Sequence, residues 1–524
     1  MIVRSTFPDV NIPEVPYSSL ILQHAQEWKD RPAFIDGPTG RTLSYGQVAG
    51  GARLVAASLA KRGFKKGDTF AIYSPNIPEY AVAFHAIAMI GGIVTTVNPL
   101  YTVDELAFQL NDTKARYLVT VPPFVEKANA AAKRSQVEET FVFGEAQGAT
   151  PFASLLESDG QLPEVRIDPR RDICAMPYSS GTAGRAKGVM LTHYNLVAMT
   201  TQLAGVGTAT FNENARALAI LPFYHIYGMV VLMNYPLFSG ALAVTMPRFD
   251  LEQFLRIVQD NRVTHLYLVP PIVLALAKHP LVGQYDLSSV KLINSGAAPL
   301  DEGIQKQCAQ RIGCMVSQGY GMTETSVAIS VSPDDPSKIR AGSSGLLLPN
   351  MEAKFLDVAT GAELGPNERG EIVVRGPNVM RGYLNDDGAT ARTLDKDGWL
   401  HTGDVGYIDD EGYFFVVDRV KELIKYKGFQ VAPAELEALL LSHPAIADAA
   451  VIGSPDEEAG EIPKAFVVTR SAITPDEIMA YVAERVAPHK RIRKIEIIDE
   501  VPKSASGKIL RRLLLERERA SMNK

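Results

Sequence analysis

The chain has 524 residues, of which 46% are hydrophobic and 21% charged, with a formal net charge of -6 at pH 7. This length allows two or more domains around a large core, and the composition is that of an ordinary globular protein. The acidic balance argues against a nucleic-acid-binding protein. The three cysteines, Cys174, Cys308 and Cys314, form no CxxC pair, which argues against structural zinc and favours buried thiols in a reducing compartment.

Targeting signals are not apparent in the sequence. The first residues hold no apolar run of signal-peptide length, and no stretch approaches the roughly 20 apolar residues of a spanning helix. The last four residues, SMNK, are not a peroxisomal tripeptide. We therefore expect a cytoplasmic protein without an integral membrane segment.

The first 121 residues alternate between strand and helix patterns. After an arm, a short helix and a hairpin, Ser44 and Gln47 predict a capping box for a helix that ends at Gly63. Strands are then predicted at 69–75, 93–99 and 115–121, and helices at 79–92 and 103–114. This alternation predicts a parallel sheet with right-handed crossovers. His85 lies on an apolar helix, where packing explains it better than ligand binding.

The rest of the chain divides into three parts. A strand, a glycine loop and a helix are predicted between 172 and 204, followed by a second α/β unit to about 325. From about 340 to 418 short strands with turns predict a small β subdomain. A new series of helices and strands follows, so we place a domain boundary at Asp418–Lys421, giving domains 1–418 and 419–524.

The stretch 178–193 reads YSSGTAGRAKGVMLTH and concentrates small, hydroxyl and basic residues. Glycines permit positive φ and close backbone approach, while hydroxyls and backbone N–H groups turned to one side form an anion nest. The stretch therefore predicts a phosphate-binding loop formed by Ser179, Ser180, Gly181, Thr182, Gly184 and Lys187. The spacing is not that of a Walker A loop. By itself, a flexible surface loop explains the composition equally well.

This stretch resembles the signature of the adenylate-forming ligases, which include acyl- and aryl-CoA synthetases, peptide-synthetase adenylation domains and beetle luciferases. Their pattern is Ser/Thr-Gly-Thr-Thr-Gly-x-Pro-Lys-Gly, and this chain departs from it at Ala183 and Ala186. The first departure removes a hydroxyl that could meet a phosphate, and the second removes a rigid φ. The resemblance implies an α/β fold with a large N-terminal domain of stacked α/β sheets plus a β subdomain, and a small mobile α+β C-terminal domain.

Five further segments match the same family in the same order, at 221–228, 295–300, 319–325, 401–406 and 504–510. Taken singly, each has a simpler explanation, such as a packing turn, a surface charge or a packed histidine. Tyr320 could stack on a purine, Thr323 could donate to a phosphate, and Glu324 could hold Mg²⁺, which prefers carboxylate and phosphate oxygens. Asp404 could accept from ribose hydroxyls.

The resemblance implies roles for the remaining residues. Gly296, Ala297, Ala298 and Pro299 would line the adenine site together with the turn Gly319, Tyr320 and Gly321, and Arg419 would meet the ribose. His225 would border the substrate carboxylate, and Lys508 would bridge that carboxylate and the α-phosphate. Lys421 would be the hinge about which the C-terminal domain rotates, after which Lys427, Gly428 and Phe429 would help form a pantetheine tunnel.

The reaction implied by the resemblance has two steps and uses ATP, Mg²⁺ and CoA. A carboxylic acid is first joined to AMP with release of pyrophosphate, and the acyl group then passes to the CoA thiol. The catalytic residues would be Lys508, His225, Thr323, Glu324 and Lys187. Transfer to a carrier-protein thiol, an amine or oxygen remains an alternative, as does a degenerate homologue that only binds nucleotide. We expect a monomer or a homodimer.

Segments 221–228, 269–280 and 421–437 resemble the 4-coumarate–CoA ligase branch, which includes bacterial cinnamate–CoA ligases. Its acyl pocket maps onto Tyr227, Val230, Tyr267, Asn294, Gly296, Ala297, Gly319, Gly321, Val327, Ala328 and Ile329. Plant coumarate enzymes often carry asparagine in place of Val230 and lysine in place of Asn294. With fewer polar groups at its end, the pocket would disfavour a phenolic hydroxyl, so we expect an unsubstituted cinnamate-like acid or a medium-chain fatty acid.

Overall fold

The computed structural model describes residues 1–179, 186–206, 211–427, 429–456, 458–504 and 507–522. Of the predicted site residues, Ser180, Gly181, Thr182, Gly184 and Gly428 lie outside these ranges.

The described strands are, in chain order, β1 (Val3–Arg4), β2 (Pro32–Asp36), β3 (Thr42–Ser44), β4 (Thr69–Tyr73), β5 (Ile93–Thr96), β6 (Ala115–Thr120), β7 (Glu139–Val142), β8 (Thr150–Pro151), β9 (Ile173–Ser179), β10 (Lys187–Thr192), β11 (Arg216–Ala219), β12 (Leu242–Thr245), β13 (His265–Leu268), β14 (Leu292–Ser295), β15 (Met315–Tyr320), β16 (Ser330–Val331), β17 (Leu346–Leu347), β18 (Glu352–Leu356), β19 (Gly370–Arg375), β20 (Gly382–Tyr383), β21 (Leu400–Ile408), β22 (Phe414–Arg419), β23 (Ile424–Tyr426), β24 (Phe429–Val431), β25 (Ile446–Asp456), β26 (Gly460–Thr469) and β27 (Lys494–Ile497). The described helices are α1 (Tyr17–Ile21), α2 (Tyr45–Lys61), α3 (Glu79–Met89), α4 (Val103–Asp112), α5 (Val125–Ala132), α6 (His193–Gly205), α7 (Tyr235–Ser239), α8 (Leu251–Asp260), α9 (Pro270–Lys278), α10 (Glu302–Ile312), α11 (Asp387–Thr393), α12 (Pro433–Ser442), α13 (Pro475–Ala483) and α14 (Arg511–Met522).

The first large sheet has the strand order β20-β10-β9-β5-β4-β6-β7-β8. Strands β4, β5 and β6 pair in parallel and are almost wholly buried, as their continuous apolar runs predict. The predicted capping box at Ser44 and Gln47 is present at the start of α2. His85 is fully buried, with Nδ1 3.1 Å from the Ser18 hydroxyl, which confirms a packing role.

The prediction of a strand, a glycine loop and then a helix is wrong in one respect. Strand β10 follows the loop and pairs antiparallel with β9, Lys187 opposite Ser179 and Gly188 opposite Tyr178. Helix α6 begins only at His193, where Thr192 caps it. The residues after the loop are apolar and mostly buried, so they form a strand of the sheet. Lys187 therefore projects from a strand pair and not from a helix N-terminus.

The second large sheet has the order β17-β16-β15-β14-β13-β11-β12-β2-β3, and its strands β11 to β15 pair in parallel. Helices α9 and α10, which the sequence analysis missed, join β13 to β14 and β14 to β15. Both carry start signals that could have revealed them, since Pro270 opens α9 and the Asp301 side chain caps α10. The carboxyl ends of β13, β14 and β15 meet at one edge.

The predicted β subdomain is present as a five-stranded sheet in the order β1-β18-β19-β21-β22, where the first residues of the chain supply the edge strand. Residues from Ile424 onward form another sheet, β24-β23-β26-β25 with β27 beside β26. The two large sheets and the β subdomain share one apolar core, whereas this last sheet has its own, built around Ile424, Leu436 and Val467. The α/β fold with a separate C-terminal unit is confirmed, and the boundary at Asp418–Lys421 stays a prediction.

Cys174 and Cys308 are buried free thiols as expected, while Cys314 is only partly buried. Within the described ranges, none of the helices has both the length and the apolar content that crossing a bilayer requires.

Candidate active site

A cavity of about 690 Å³ opens where the second large sheet, the β subdomain and the C-terminal unit meet. Many of the predicted site residues line it: Ser179, Lys187, His225, Tyr227, Tyr267, Asn294, Gly296, Ala297, Gly319, Tyr320, Gly321, Thr323, Glu324, Val327, Ala328, Arg419, Lys421 and Lys508. The cavity thus gathers residues that lie up to 329 positions apart in the chain (508 minus 179).

Other predicted residues lie outside the cavity wall. Val230 and Ile329 are fully buried and are not among the residues that line the cavity, so their assignment to the acyl pocket stays a prediction. Ala298 and Pro299 do not line the cavity either. Lys427 is exposed and forms an ion pair with Glu458 of the C-terminal unit.

Arg419 lines one side of the cavity, and Asp404, which does not line it, is buried behind Arg419 and paired with it. They face each other across β21 and β22, with Arg419 Nε 3.2 Å from one Asp404 oxygen. The Tyr320 hydroxyl donates to the other oxygen at 2.8 Å. Burial raises the pKa of Asp404, and the guanidinium of Arg419 counteracts that rise. The carboxylate is therefore held in a fixed orientation beside the ring of Tyr320, as recognition of a diol next to a planar base requires.

The wall near Tyr320 depends on a close backbone approach. A Cβ at Gly321 would lie 1.9 Å from the carbonyl oxygen of Val327, so only glycine fits there. Ser326 and Val327 both have positive φ, at 56° and 130°. For a β-branched residue this is a strained conformation. Such strain is found mostly where the surrounding structure must hold a binding surface in place.

The acyl end of the cavity is more polar than the sequence suggested. The Tyr227 hydroxyl donates to Asn294 Oδ1 at 3.0 Å, and the Asn294 amide donates to Ser317 at 2.9 Å. Among the lining residues that the sequence analysis did not name are Leu203, Val231, Tyr235, Val331, Ser332 and Asp334. Polar groups are thus present at this end, and the expectation that the pocket disfavours a phenolic hydroxyl stays a prediction.

Two structural features explain these misses. Residues Gly228–Asn234 form a π-helix, whose wider turn presents Val231 instead of Val230 to the cavity. Strand β16 pairs with the end of β15, Val331 opposite Gly319, which brings the loop with Ser332 and Asp334 to the same wall. A short antiparallel pairing of this kind leaves no periodic signal in a sequence.

Glu324, Tyr383 and Lys187 mark the opposite end of the cavity. The Tyr383 hydroxyl donates to one Glu324 oxygen at 2.8 Å, and the Lys187 ammonium lies 4.8 Å from the Tyr383 ring centroid. Lys187 Nζ is also 3.9 Å from the Asp386 carboxylate. Among the described residues, no group of three or more side chains that could hold a metal ion occurs.

Lys508 reaches the cavity from the C-terminal unit. Its backbone N–H donates to the Ser504 hydroxyl at 3.1 Å, and Gly507 before it has a φ of 76°. A Cβ at Gly507 would lie 3.1 Å from a methyl carbon of Val269, so the loop is seated directly against the large domain. Burial and then the charge of Arg419 lower the pKa of Lys508 to about 8.

His225 is the nearest histidine to that lysine. Burial and the charge of Lys508 lower the pKa of His225 to about 4, so the ring is neutral near pH 7. The backbone N–H of Tyr227 donates to His225 Nδ1 at 3.3 Å, which leaves the ring proton on Nε2. The histidine can therefore donate a hydrogen bond without adding a charge.

Arg511, which the sequence analysis did not single out, holds the Lys508 loop. Its guanidinium donates to both oxygens of Glu437 at 2.8 Å and to Glu422 at 2.7 Å. Glu422 is the residue after Lys421, and Glu437 lies on α12. One buried cation thus joins the lysine loop, the segment after β22 and a helix of the C-terminal unit. In the sequence, this network is marked only by the two adjacent basic residues at 511–512.

Comparisons with known proteins agree with this geometry. Residues 21–384 match the sequence model of the AMP-binding enzyme family, and residues 435–508 match the AMP-binding enzyme C-terminal domain. The chain is 44% identical to a protein named 4-coumarate–CoA ligase 5 from Oryza sativa subsp. japonica, over 98% of this chain and 96% of the relative. It is likewise 44% identical to a 4-coumarate–CoA ligase from Pinus taeda, over 98% and 97% of the two chains.

Solved structures give the same result. An anthranilate CoA ligase in complex with anthranoyl-AMP superposes with a TM-score of 0.90 at 26% identity, over 98% of this chain and 99% of that one. ATP-bound MatB from Rhodopseudomonas palustris superposes with a TM-score of 0.86 at 30% identity, over 95% and 98%.

Proposed function

The chain belongs to the AMP-binding enzyme family, and from that membership we propose that it is an ATP-dependent carboxylic acid–CoA ligase. One observation carries the proposal: a half-buried lysine, Lys508, lines a cavity together with Arg419, which is paired with Asp404, and with the aromatic side chains of an apolar pocket. That arrangement suits a reaction joining the carboxylate of an acid to the α-phosphate of ATP.

In the first step a carboxylate oxygen attacks the α-phosphorus, and the bond to pyrophosphate breaks. Asp404 accepts from the ribose hydroxyls, and Tyr320 presents its ring to the adenine. Lys508 lies between the two anions and stabilises the charge that develops on the phosphoryl oxygens. His225, neutral and with its proton on Nε2, orients the carboxylate without competing with Lys508 for it.

Magnesium fits the phosphate end of the cavity. Glu324 is 5% exposed, one of its oxygens is held by Tyr383, and Mg²⁺ commonly binds to one carboxylate together with substrate phosphates. Glu324 would hold the ion, which would neutralise phosphate charge, and Thr323 would donate to the same phosphate group.

In the second step the CoA thiol loses its proton and its sulfur attacks the acyl carbon, so that the bond to AMP breaks. Lys508 must leave for the thiol to reach that carbon. We propose that the C-terminal unit, residues 419–524, rotates about Lys421. Lys427 and Gly428 would then move toward the cavity, which accounts for the position of Lys427 outside it here.

For the acid, we propose an aryl substrate of the cinnamate type. Tyr227, Tyr235 and Tyr267 supply flat apolar surface, and polar groups of Asn294, Ser332 and Asp334 lie among them. A ring hydroxyl would meet partners there, so 4-coumarate and cinnamate are both candidate substrates. The alkyl chain of a medium-chain fatty acid would form no hydrogen bond with these polar groups.

Mass spectrometry of the products tests the proposal. The protein would be incubated with MgATP and, in turn, cinnamate, 4-coumarate, benzoate, hexanoate, octanoate or palmitate, with and without CoA. We expect AMP and a thioester only when CoA is present, and the aryl acids with a propenoate chain should react fastest. An adenylate that never becomes a thioester would point to another acceptor, and no adenylate with any acid would reject the ligase assignment.

The pH profile of the first step should report the pKa of Lys508. This lysine is charged below a pKa of about 8 and neutral above it, so kcat/KM for adenylate formation should fall about tenfold per unit above pH 8. Bound anions favour the charged form, so the fall in kcat should begin at higher pH. Pyrophosphate release measured from pH 6 to 10 checks this, and a Lys508→Ala variant should lack the alkaline fall.

A further inference from the structure

Arg392 lines the cavity but has no part in the chemistry described so far. It lies in the last turn of α11, and its neighbours Ala389 and Thr393 line the cavity with it. Within the described part of the chain, Arg392 makes no hydrogen bond and no ion pair. Arginines elsewhere in this region are engaged, as Arg375 is with Glu352. An exposed guanidinium at the rim of an anion-binding cavity is available to a ligand.

The position of Arg392 places it at the phosphate end. The side chains of Arg392 and Asp386 both lie beside Gly388. A Cβ built on Gly388 would lie 3.4 Å from Arg392 Nη1 and 3.8 Å from Asp386 Oδ1. Asp386 in turn approaches Lys187 at 3.9 Å. Arg392, Asp386 and Lys187 therefore follow one another along one side of the cavity. Tyr383, whose hydroxyl donates to Glu324, lines the cavity together with Thr393, the residue after Arg392.

Among the described residues at this end, the formal charges sum to zero only when Arg392 is counted. Lys187 contributes +1, while Asp386 and Glu324 contribute -1 each, which sums to -1 without Arg392. Adding Arg392 brings the sum to zero. A triphosphate carries several negative charges, so one magnesium ion and Lys187, already shared with Asp386, leave much of that charge without a partner.

We infer that Arg392 binds the β- and γ-phosphates of ATP, and the pyrophosphate product, at the end of the cavity marked by Lys187 and Glu324. This rests on the proposed function. The guanidinium offers paired N–H donors suited to phosphate oxygens.

Isothermal titration of the full chain with MgATP, pyrophosphate and AMP, without any acid, tests the inference. Arg392→Ala should weaken binding of MgATP and pyrophosphate roughly 5- to 20-fold and change AMP binding less than about twofold, with Arg392→Lys in between. The control is Arg369→Ala, which removes an exposed arginine outside the cavity and should change none of the three. Equal weakening of AMP and MgATP, or no weakening, overturns the inference.

The titrations are independent of the ligase assignment, which fails only if the parent chain forms no adenylate with any acid.

Discussion

Replacing Lys508 by alanine should lower the rate of adenylate formation by about 10²–10³. The lysine is the cation placed between the acyl pocket and the Asp404–Arg419 pair, and its loop is seated against Val269. Charge that develops on the phosphoryl oxygens would lose its partner. Pyrophosphate release under single-turnover conditions measures the effect.

The same variant provides an internal control. When it is given CoA and an isolated acyl-adenylate of the preferred acid, it should form thioester at nearly the parent rate, because in the proposed mechanism Lys508 takes no part in the second step. Lys306→Ala, at a lysine on α10 with 67% of its side chain exposed, should leave both steps unchanged. Equal loss in both steps would contradict the assigned role and indicate damage to the fold.

Replacing Arg511 by alanine should destabilise the C-terminal unit by about 3–5 kcal/mol, because Glu422 and Glu437 would lose their buried cation. The Arg511 side chain is 13% exposed and the Glu437 side chain 9%. The Lys508 loop, three residues away, would lose its anchor, so adenylate formation should also fall. Urea denaturation followed by circular dichroism, together with single-turnover pyrophosphate release, measures both effects.

Arg512 supplies a matched control one residue further on. Its side chain is 74% exposed and pairs with Glu516 one helical turn away. Arg512→Ala should change stability by less than about 1 kcal/mol, as surface pairs generally do. If Arg511→Ala were equally mild, the buried network would not hold the loop, and the positioning role would be wrong.

Patterns among neighbouring residues in the sequence predicted most of the secondary structure. The capping box at Ser44 and the apolar runs of β4 and β5 depend on neighbouring residues only, and both are present. Helices α9 and α10 were missed although Pro270 and Asp301 signal their starts. Strand β10 was missed because its pairing with β9 competes with the helical pattern that follows.

For the candidate site, the sequence by itself determined which chemical groups are present: the glycine-rich loop, Glu324, Asp404, Arg419 and Lys508 are all readable from short motifs. A motif is local, so it names a residue without placing it. Only the tertiary structure decided which side chains share the cavity. It added Val231, Asp334 and Arg392, and set Arg511 between Glu422 and Glu437. The physical reason is that a π-helical turn, a short antiparallel pairing and a buried ion network each depend on contacts between distant segments.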